Sequence, residues 1–468
     1  MRNVDLLVIN SCIITMDRDH RVINDGAVAV EGDHIAALGE TPDILSRFSA
    51  KRVIDGQGKY LYPGFISTHT HLFQSLLKGL GRDKTLFEWL DSSVRRALRN
   101  FDEETIYYAA LVGLIEAVRS GTTTVTDYQY CHSLPGIDEN VIRAYLDLNV
   151  RGVLSRSHTK VGGFPPEMAF SYVETEDDYF REMETLCVKY RNHPLIGMSL
   201  APGIIWDHDR AGYLKTREFA DHFKIPITMH LVETDDDDIY AQKTWGMSSI
   251  DFLESCGILG PDFVAVHAVK VTEKDISRFR DYDVKIAHCP VSNMILASGT
   301  APVPRFLKEG ITVSLACDGA AANDTQDMLD VMRITALKHK LVNHDASVVS
   351  APEVLEMATM GGAKALGMEK RIGSLEEGKL ADMFIWSAND CRAIPVNDPI
   401  SSLVYSSDAH NIETTIIAGK IVLDEGRITT LDEKAVLRKA QELAEGLVKK
   451  SGLGNSHWGK TLPVRSGL

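Results

Sequence analysis

The sequence predicts an α/β chain: a (β/α)8 TIM-type barrel with a small discontinuous β-sandwich domain formed by the N- and C-terminal segments. Three observations carry this expectation. Short apolar runs rich in β-branched residues alternate with amphipathic stretches through the middle of the chain. Short β-type runs broken by turn signals crowd both ends. Four of the middle strands run into histidines and another into an aspartate, and in such barrels the strand ends carry the chemistry.

The elements follow in order. In the first 60 residues, Val4–Ile9, Cys12–Thr15, Ala27–Val30, His34–Leu38 and Arg52–Ile54 read as strands between Asn24-Asp25-Gly26, Glu31-Gly32-Asp33 and Asp55-Gly56-Gln57-Gly58. Eight barrel strands are expected at Leu61–Ser67, Thr122–Asp127, Gly152–Arg156, Ile196–Ala201, Pro226–Leu231, Phe263–Ala268, Val284–Cys289 and Ile311–Cys317. Amphipathic helices separate them, among them Glu103–Arg119, Glu174–Tyr190 and Thr272–Arg280. Strand texture returns at Gly378–Trp386 and Glu413–Leu423, with Gly419-Lys420 as a hairpin turn, and Asp432–Lys449 reads as one helix before a loose tail. Neither end has enough residues for a core of its own, so the two pair. The expected division is 1–60 and 371–430 as the β-domain, 61–370 as the barrel, and 431–468 as helix and tail. A dinucleotide-binding sheet is disfavoured because Gly79-Leu80-Gly81 lacks the Gly-x-Gly-x-x-Gly spacing.

Bulk composition narrows the function. A chain of 468 residues, 44% hydrophobic and 25% charged, has the make-up of a globular protein. Its net charge of −15 argues against a nucleic-acid partner. The seven cysteines are scattered without a Cys-x-x-Cys pair, which points to a reducing cytoplasm rather than a disulfide framework. No signal-peptide pattern opens the chain, and the apolar runs of about 4–8 residues suit buried strands rather than a membrane span.

The strand ends read His69-Thr70-His71, Asp127, Arg156, His230, His267, His288 and Asp318. A single histidine there is more often structural, by roughly three to one; several converging on one ring of loops reverse those odds. Histidines spaced i, i+2 face the same side of an extended chain, so His69 and His71 can bind one ion. With His230 and Asp318 they make three imidazoles and one carboxylate. That set suits one divalent metal, Zn2+ foremost, with Fe2+ or Mn2+ as alternatives.

The run Pro63-Gly64-Phe65-Ile66-Ser67-Thr68-His69-Thr70-His71 resembles the first-strand signature of the amidohydrolase superfamily. His230-Leu231-Val232-Glu233 is similar to its His-x-x-Glu, Val266-His267-Ala268 to its strand-six histidine, and Ser314–Gly319 to its strand-eight aspartate. Gly373–Asp382 looks like its return to the β-domain, so the resemblance spans nearly the whole chain. It implies the mononuclear, deaminase-like branch: strand four ends Ser199-Leu200-Ala201-Pro202, without the bridging lysine of binuclear members. It also implies the chemistry. Metal-activated hydroxide attacks a ring carbon bearing an amino group, with loss of ammonia. Glu233 carries the proton from water to ring nitrogen and leaving group, His267 holds the hydroxide or binds the metal loosely, and Asp318 serves as ligand and proton acceptor.

Substrate contacts are expected from Gln74, Trp89, Arg156, Trp206, His288 and Asn293, which fall in or after strand-end loops. Each has a plainer alternative: Trp89 sits at helical spacing with Phe87 and Leu90, His288 suits a buried structural role, and Arg156 suits an ion pair with the Glu-rich stretch after it. Gly162–Pro166 reads as a lid, and Asp235–Asp238 as a solvated loop. The group resembled includes guanine, adenosine-type and s-triazine aminohydrolases, implying a small purine, pterin, pyrimidine or s-triazine substrate. Deaminases of S-adenosylhomocysteine and methylthioadenosine usually place a histidine after Ala-Pro on strand four. Gly203 stands there instead, which favours a free base, pterin or triazine-like ring. Hydrolytic loss of halide or alkylamine from such a ring is the alternative reaction. A non-catalytic dihydropyrimidinase-like scaffold is disfavoured, because the ligands are all present. Relatives of this kind imply a homo-oligomer, dimer or tetramer.

Overall fold

A computed structural model describes residues 1–158 and 174–454. The expected lid Gly162–Pro166 and the tail from 455 onward lie outside the described residues. Eight parallel strands run in sequence order: Phe65–Thr70, Thr122–Gln129, Arg151–Ser157, Ile196–Ala201, Ile227–Leu231, Phe263–His267, Lys285–His288 and Val313–Leu315. The first and last are joined where the Thr68 hydroxyl donates to Leu315 O (3.1 Å) and Asp318 N donates to His69 O (3.0 Å). Strands buried on both faces read as continuous apolar runs, which is why their positions are visible in sequence.

The helices between them start on side-chain caps. Asp102 accepts from Thr105 N at the head of Glu103–Arg119. Thr175 with Asp178, and Thr272 with Asp275, form capping boxes on Glu176–Tyr190 and Glu273–Asp281. Their apolar faces join the barrel's outer wall in one extended hydrophobic cluster.

The two chain ends build a second, nine-stranded mixed sheet. The expected strands Val4–Ile9 and Cys12–Thr15 are one strand, Arg2–Ile14, with register shifts between Val8 and Ile13 and a left-handed Asn10 (φ 58°). The expected first barrel strand divides at Gly64. Tyr60–Pro63 pairs antiparallel with Met383–Trp386 in the second sheet, and the chain enters the barrel at Phe65. Glycine is required at this crossing, because a Cβ on residue 64 would meet Thr123 Oγ1 at 2.0 Å. Val28 and Val30 face one apolar cluster and Ala27 and Ala29 another, so this sheet is buried on both sides. A short helix, Thr41–Arg47, was not foreseen; it packs Ile44 under the second face. Barrel and sheet are pinned together by the buried fork of Arg151 on Asp382, at 2.7 and 3.1 Å.

Candidate active site

The first barrel strand delivers His69 and His71, the fifth His230, the sixth His267, and the turn after the eighth Asp318. Two overlapping sets, His69–His71–His230 and His69–His267–Asp318, each bring one ligand atom per residue within 4.8 Å of the others. His71 Nε2 lies 3.4 Å, and His69 Nε2 3.6 Å, from Asp318 Oδ1. His71 Nδ1 is 2.7 Å from Tyr128 O, which only accepts, so Nδ1 carries the proton and Nε2 a lone pair. That lone pair points at His230 Nε2, 3.3 Å away. Two ligands about 2.05 Å from a tetrahedral ion are about 3.3 Å apart, so the spacing fits a shared divalent cation better than a hydrogen bond.

The electrostatics agree. Burial holds His69, His230 and His71 below the ordinary histidine range, His71 at about 3. They are neutral imidazoles, as metal ligands must be. Asp318 stays ionised: burial pushes its pKa up, but its side-chain contact with His69 pulls harder the other way, and the carboxyl lies well below the usual range. Both ring nitrogens of His69 and Nδ1 of His230 are buried with no hydrogen-bond partner. Four converging donors, three neutral and one anionic, fit one ion of the zinc type.

The backbone is bent to aim these groups. Val232 (φ 45°), His267 (φ 71°), Ala268 (φ 47°) and Asp318 (φ 65°) all occupy the left-handed region, which costs a non-glycine residue about 1–3 kcal/mol. Val232, β-branched, is the most unusual, and it links His230 to Glu233. Its amide donates to Asp237 Oδ2, a carboxylate buried from within the expected solvated loop; Asp236–Trp245 is in fact a helix.

Glu233 faces the cluster. Its Oε1 accepts from Ser298 Oγ (2.8 Å) and from Asn293 Nδ2 (3.5 Å), and its Oε2 lies 3.4 Å from His267 Nε2. Asn293 Nδ2 also lies 3.1 Å from His267 Nδ1. An amide nitrogen facing a carboxylate is a donor, so His267 Nδ1 accepts and its proton sits on Nε2, towards Glu233. Burial raises the Glu233 pKa above the ordinary glutamate value, against the opposing pull of His267.

A cleft opens above these groups, lined by His71, His230, Glu233, His267 and Asp318. Three of the expected substrate contacts, Gln74, Trp89 and Trp206, are in its wall. Gln74 Nε2 donates to Tyr130 Oη (2.7 Å), and Trp89 Nε1 donates to Ala321 O (3.1 Å), which fixes both side chains. Sequence reasoning missed Tyr130, Arg95 and Asp207, which also line the cleft. Asp207 is buried, accepts from Ile204 N (2.8 Å), and is pushed up to about 7 by burial. A carboxylate six residues beyond the end of strand four was its only signal.

The other three expected contacts lie behind the wall. Asn293 reaches Glu233 and His267 rather than the cavity, and His288 is fully buried with Nε2 3.1 Å from His339 Nε2. Arg156 is buried among three carboxylates, at 2.7 Å from Asp138, 3.1 Å from Glu174 and 2.9 Å from Glu182. Removing the cation would leave Asp138 and Glu174 buried with, among the described residues, only His132 and His158 beside them, each at 3.5 Å. Arg156→Met is therefore expected to lower unfolding stability by about 3–5 kcal/mol in urea titration. A loss below about 1 kcal/mol would show that the network is not structural.

The Amidohydrolase family profile matches residues 60–422. A 5-methylthioadenosine/S-adenosylhomocysteine deaminase of Syntrophomonas wolfei is 35% identical, over 95% of this chain and 100% of the relative. Among solved structures, a zinc-bound adenosine deaminase from Xanthomonas campestris superposes with a TM-score of 0.90 at 27% identity, covering 96% of this chain and 99% of its own. The zinc complex of an atrazine chlorohydrolase from Arthrobacter aurescens TC1 superposes with a TM-score of 0.87 at 26% identity, covering 94% and 100%.

Proposed function

The chain belongs to the amidohydrolase family, and from that premise we propose that it is a metal-dependent hydrolytic deaminase of a purine-type heterocycle, exchanging a ring amino group for oxygen with release of ammonia. It is a hydrolase acting on a C–N bond. The observation that carries the reading is Glu233, a buried carboxyl of raised pKa placed beside His267 at the mouth of the His69, His71, His230 and Asp318 cluster.

Those four residues would hold the ion, which we take to be zinc. A divalent cation supplies there the Lewis acidity that lowers the pKa of a water ligand towards about 7. The remaining work falls to side chains. Glu233 Oε2 accepts a proton from the entering water and delivers it to the ring nitrogen beside the reacting carbon. The second proton of that water leaves the new C–OH as it becomes a carbonyl, is taken up by Asp318 and goes to the departing amine, which leaves as ammonia. His267, with Nε2–H turned inward, orients the water, and Asp318 is the second proton acceptor. Trp89 and Trp206 give flat apolar walls for a planar ring, and the Gln74 amide gives it a polar edge.

The relatives' names, with their adenosine-type substrates, favour a purine nucleoside over the free base, pterin or triazine ring that Gly203 suggested. The structure removes part of the force of that departure. Gly203 has φ 80°, and a Cβ there would meet Asp207 Oδ2 at 2.2 Å. The Asp207 carboxyl thus occupies the space beside residue 203 and offers a hydrogen-bonding group to the cleft in its own right.

The likeness to a chlorohydrolase supports a second reading, loss of halide or alkylamine from a triazine ring. The test is product release from zinc-replete protein given adenosine, 5-methylthioadenosine, guanine, an aminopterin ring, melamine and atrazine. Ammonia from a purine nucleoside is the expected result. Chloride or alkylamine release without ammonia would replace the first reading with the second. The seven unpaired cysteines support a cytoplasmic setting as part of the same proposal.

A further inference from the structure

Lys338 is a buried cation with no carboxylate to pair it among the described residues. It sits on the helix Met328–Asn343 with only 7% of its surface exposed. Its ammonium donates to two backbone carbonyls, Gly299 O at 3.1 Å and Pro290 O at 3.5 Å. Burying an ammonium this way is expensive, and a methionine of similar length would avoid the cost. Burial lowers its pKa to about 8, which leaves it mostly charged at neutral pH.

The two carbonyls mark the ends of one segment. The helix Pro290–Ile295 and the turn after it fold back, with Ser298 N donating to Asn293 O (3.0 Å), and reach Gly299 in a positive-φ conformation. Between these ends lie Asn293 and Ser298, the two residues that donate to Glu233 Oε1, and Leu296, which lines the cleft. The packing thus runs from Lys338 through the closed ends of the segment to the carboxylate and to His267 Nδ1.

We propose that Lys338 is a positioning residue for the reaction: its ammonium ties residues 290 and 299 together and so holds Ser298 and Asn293 against Glu233 and His267. The inference rests on the proton-carrying role of Glu233. Lys338 touches neither the cleft nor the metal cluster, so its effect is on turnover rather than on substrate or metal affinity. A carboxyl whose donors wander spends less time aimed at the reacting atoms, and small displacements there are costly.

The test uses the zinc-loaded full chain with Lys338→Met, Ser298→Ala and the double variant. Amide hydrogen exchange and steady-state kinetics with 5-methylthioadenosine are both read. In Lys338→Met, exchange across 290–299 should rise at least tenfold while the barrel strands stay protected. Its kcat should fall about tenfold or more, with KM within twofold and one metal per chain. The Ser298→Ala loss should not add to the Lys338→Met loss in the double variant, because both act through the same hydrogen bond. Unchanged exchange across 290–299 would overturn the proposal, as would full kcat in a loosened Lys338→Met or fully additive losses. If Lys338→Met does not fold, Lys338→Gln, which keeps a donor for one carbonyl, takes its place with the same readings. Glu233→Gln run alongside separates the two claims: a fully active Glu233→Gln overturns the role of Glu233, and hydrogen exchange then decides the clamp alone.

Discussion

Glu233→Gln is expected to keep one metal per chain and to lose about 10³-fold in kcat, the middle of the range for removing a general acid–base group. The substitution is close to isosteric, so Ser298 can still donate to the remaining oxygen. What changes is the side facing His267. An NH2 group there meets the Nε2–H, donor against donor, and no atom of the residue can accept a proton and return it. His69, His71, His230 and Asp318 are untouched, so metal content measured by elemental analysis should match the parent, and KM should change far less than kcat. A metal-replete variant within tenfold of the parent kcat would remove Glu233 from the mechanism and leave Asp318 as the proton acceptor.

The candidate centre was legible in the sequence for a definite reason. Each of its members lies on a strand end or within three residues of one, and strand ends can be found from apolar runs alone. His69 and His71 share a side because two residues is the repeat of an extended chain. Glu233 is placed by its offset from His230, although the strained Val232 between them is visible only in the structure. The wall of the cleft was legible only in part. Trp89 had equal claims as core and as site, and its position suits either, being buried with its indole nitrogen bonded to Ala321 O while one side lines the cavity. Arg156 could not be resolved from sequence, since an arginine at a strand end points into the cleft or away from it according to where carboxylates lie. Here Asp138, Glu174 and Glu182 converge from outside the barrel. Asp207 and Tyr130 escaped notice because their positions depend on loop paths that no periodicity encodes. The fold shows the same division. Barrel strands and long capped helices stood out, whereas the crossing at Gly64 depends on a close approach to Thr123, a tertiary contact.

Stripping the metal should abolish turnover and expose an acid-sensitive scaffold. An ion held a thousandfold above its dissociation constant stabilises the folded chain by about 4 kcal/mol, so the chelated protein should unfold at clearly lower denaturant. The pH dependence follows from the same imidazoles. In the unfolded chain histidine titrates near 6.5, whereas burial pushes folded His71 down to about 3 and lowers His69 and His230 as well. Between those values the unfolded state binds more protons, so stability rises with pH and is lost as pH falls from about 6.5 towards 3. The limiting slope is about 1.4 kcal/mol per pH unit for each histidine so affected. The chelated chain should therefore be markedly less stable at pH 5 than at pH 7.5 in urea titrations. A flat profile across that interval would mean that these imidazoles are not held neutral by the fold. Because burial lowers the pKa of His69, His71 and His230 in the folded chain, acid is expected to unfold the protein before it titrates the metal off an intact site. Metal release and loss of near-ultraviolet circular dichroism should share one midpoint on acidification. Metal appearing in solution while the fold is still native would show that the ligands protonate in place, and that burial holds their pKa values far less firmly than the geometry requires.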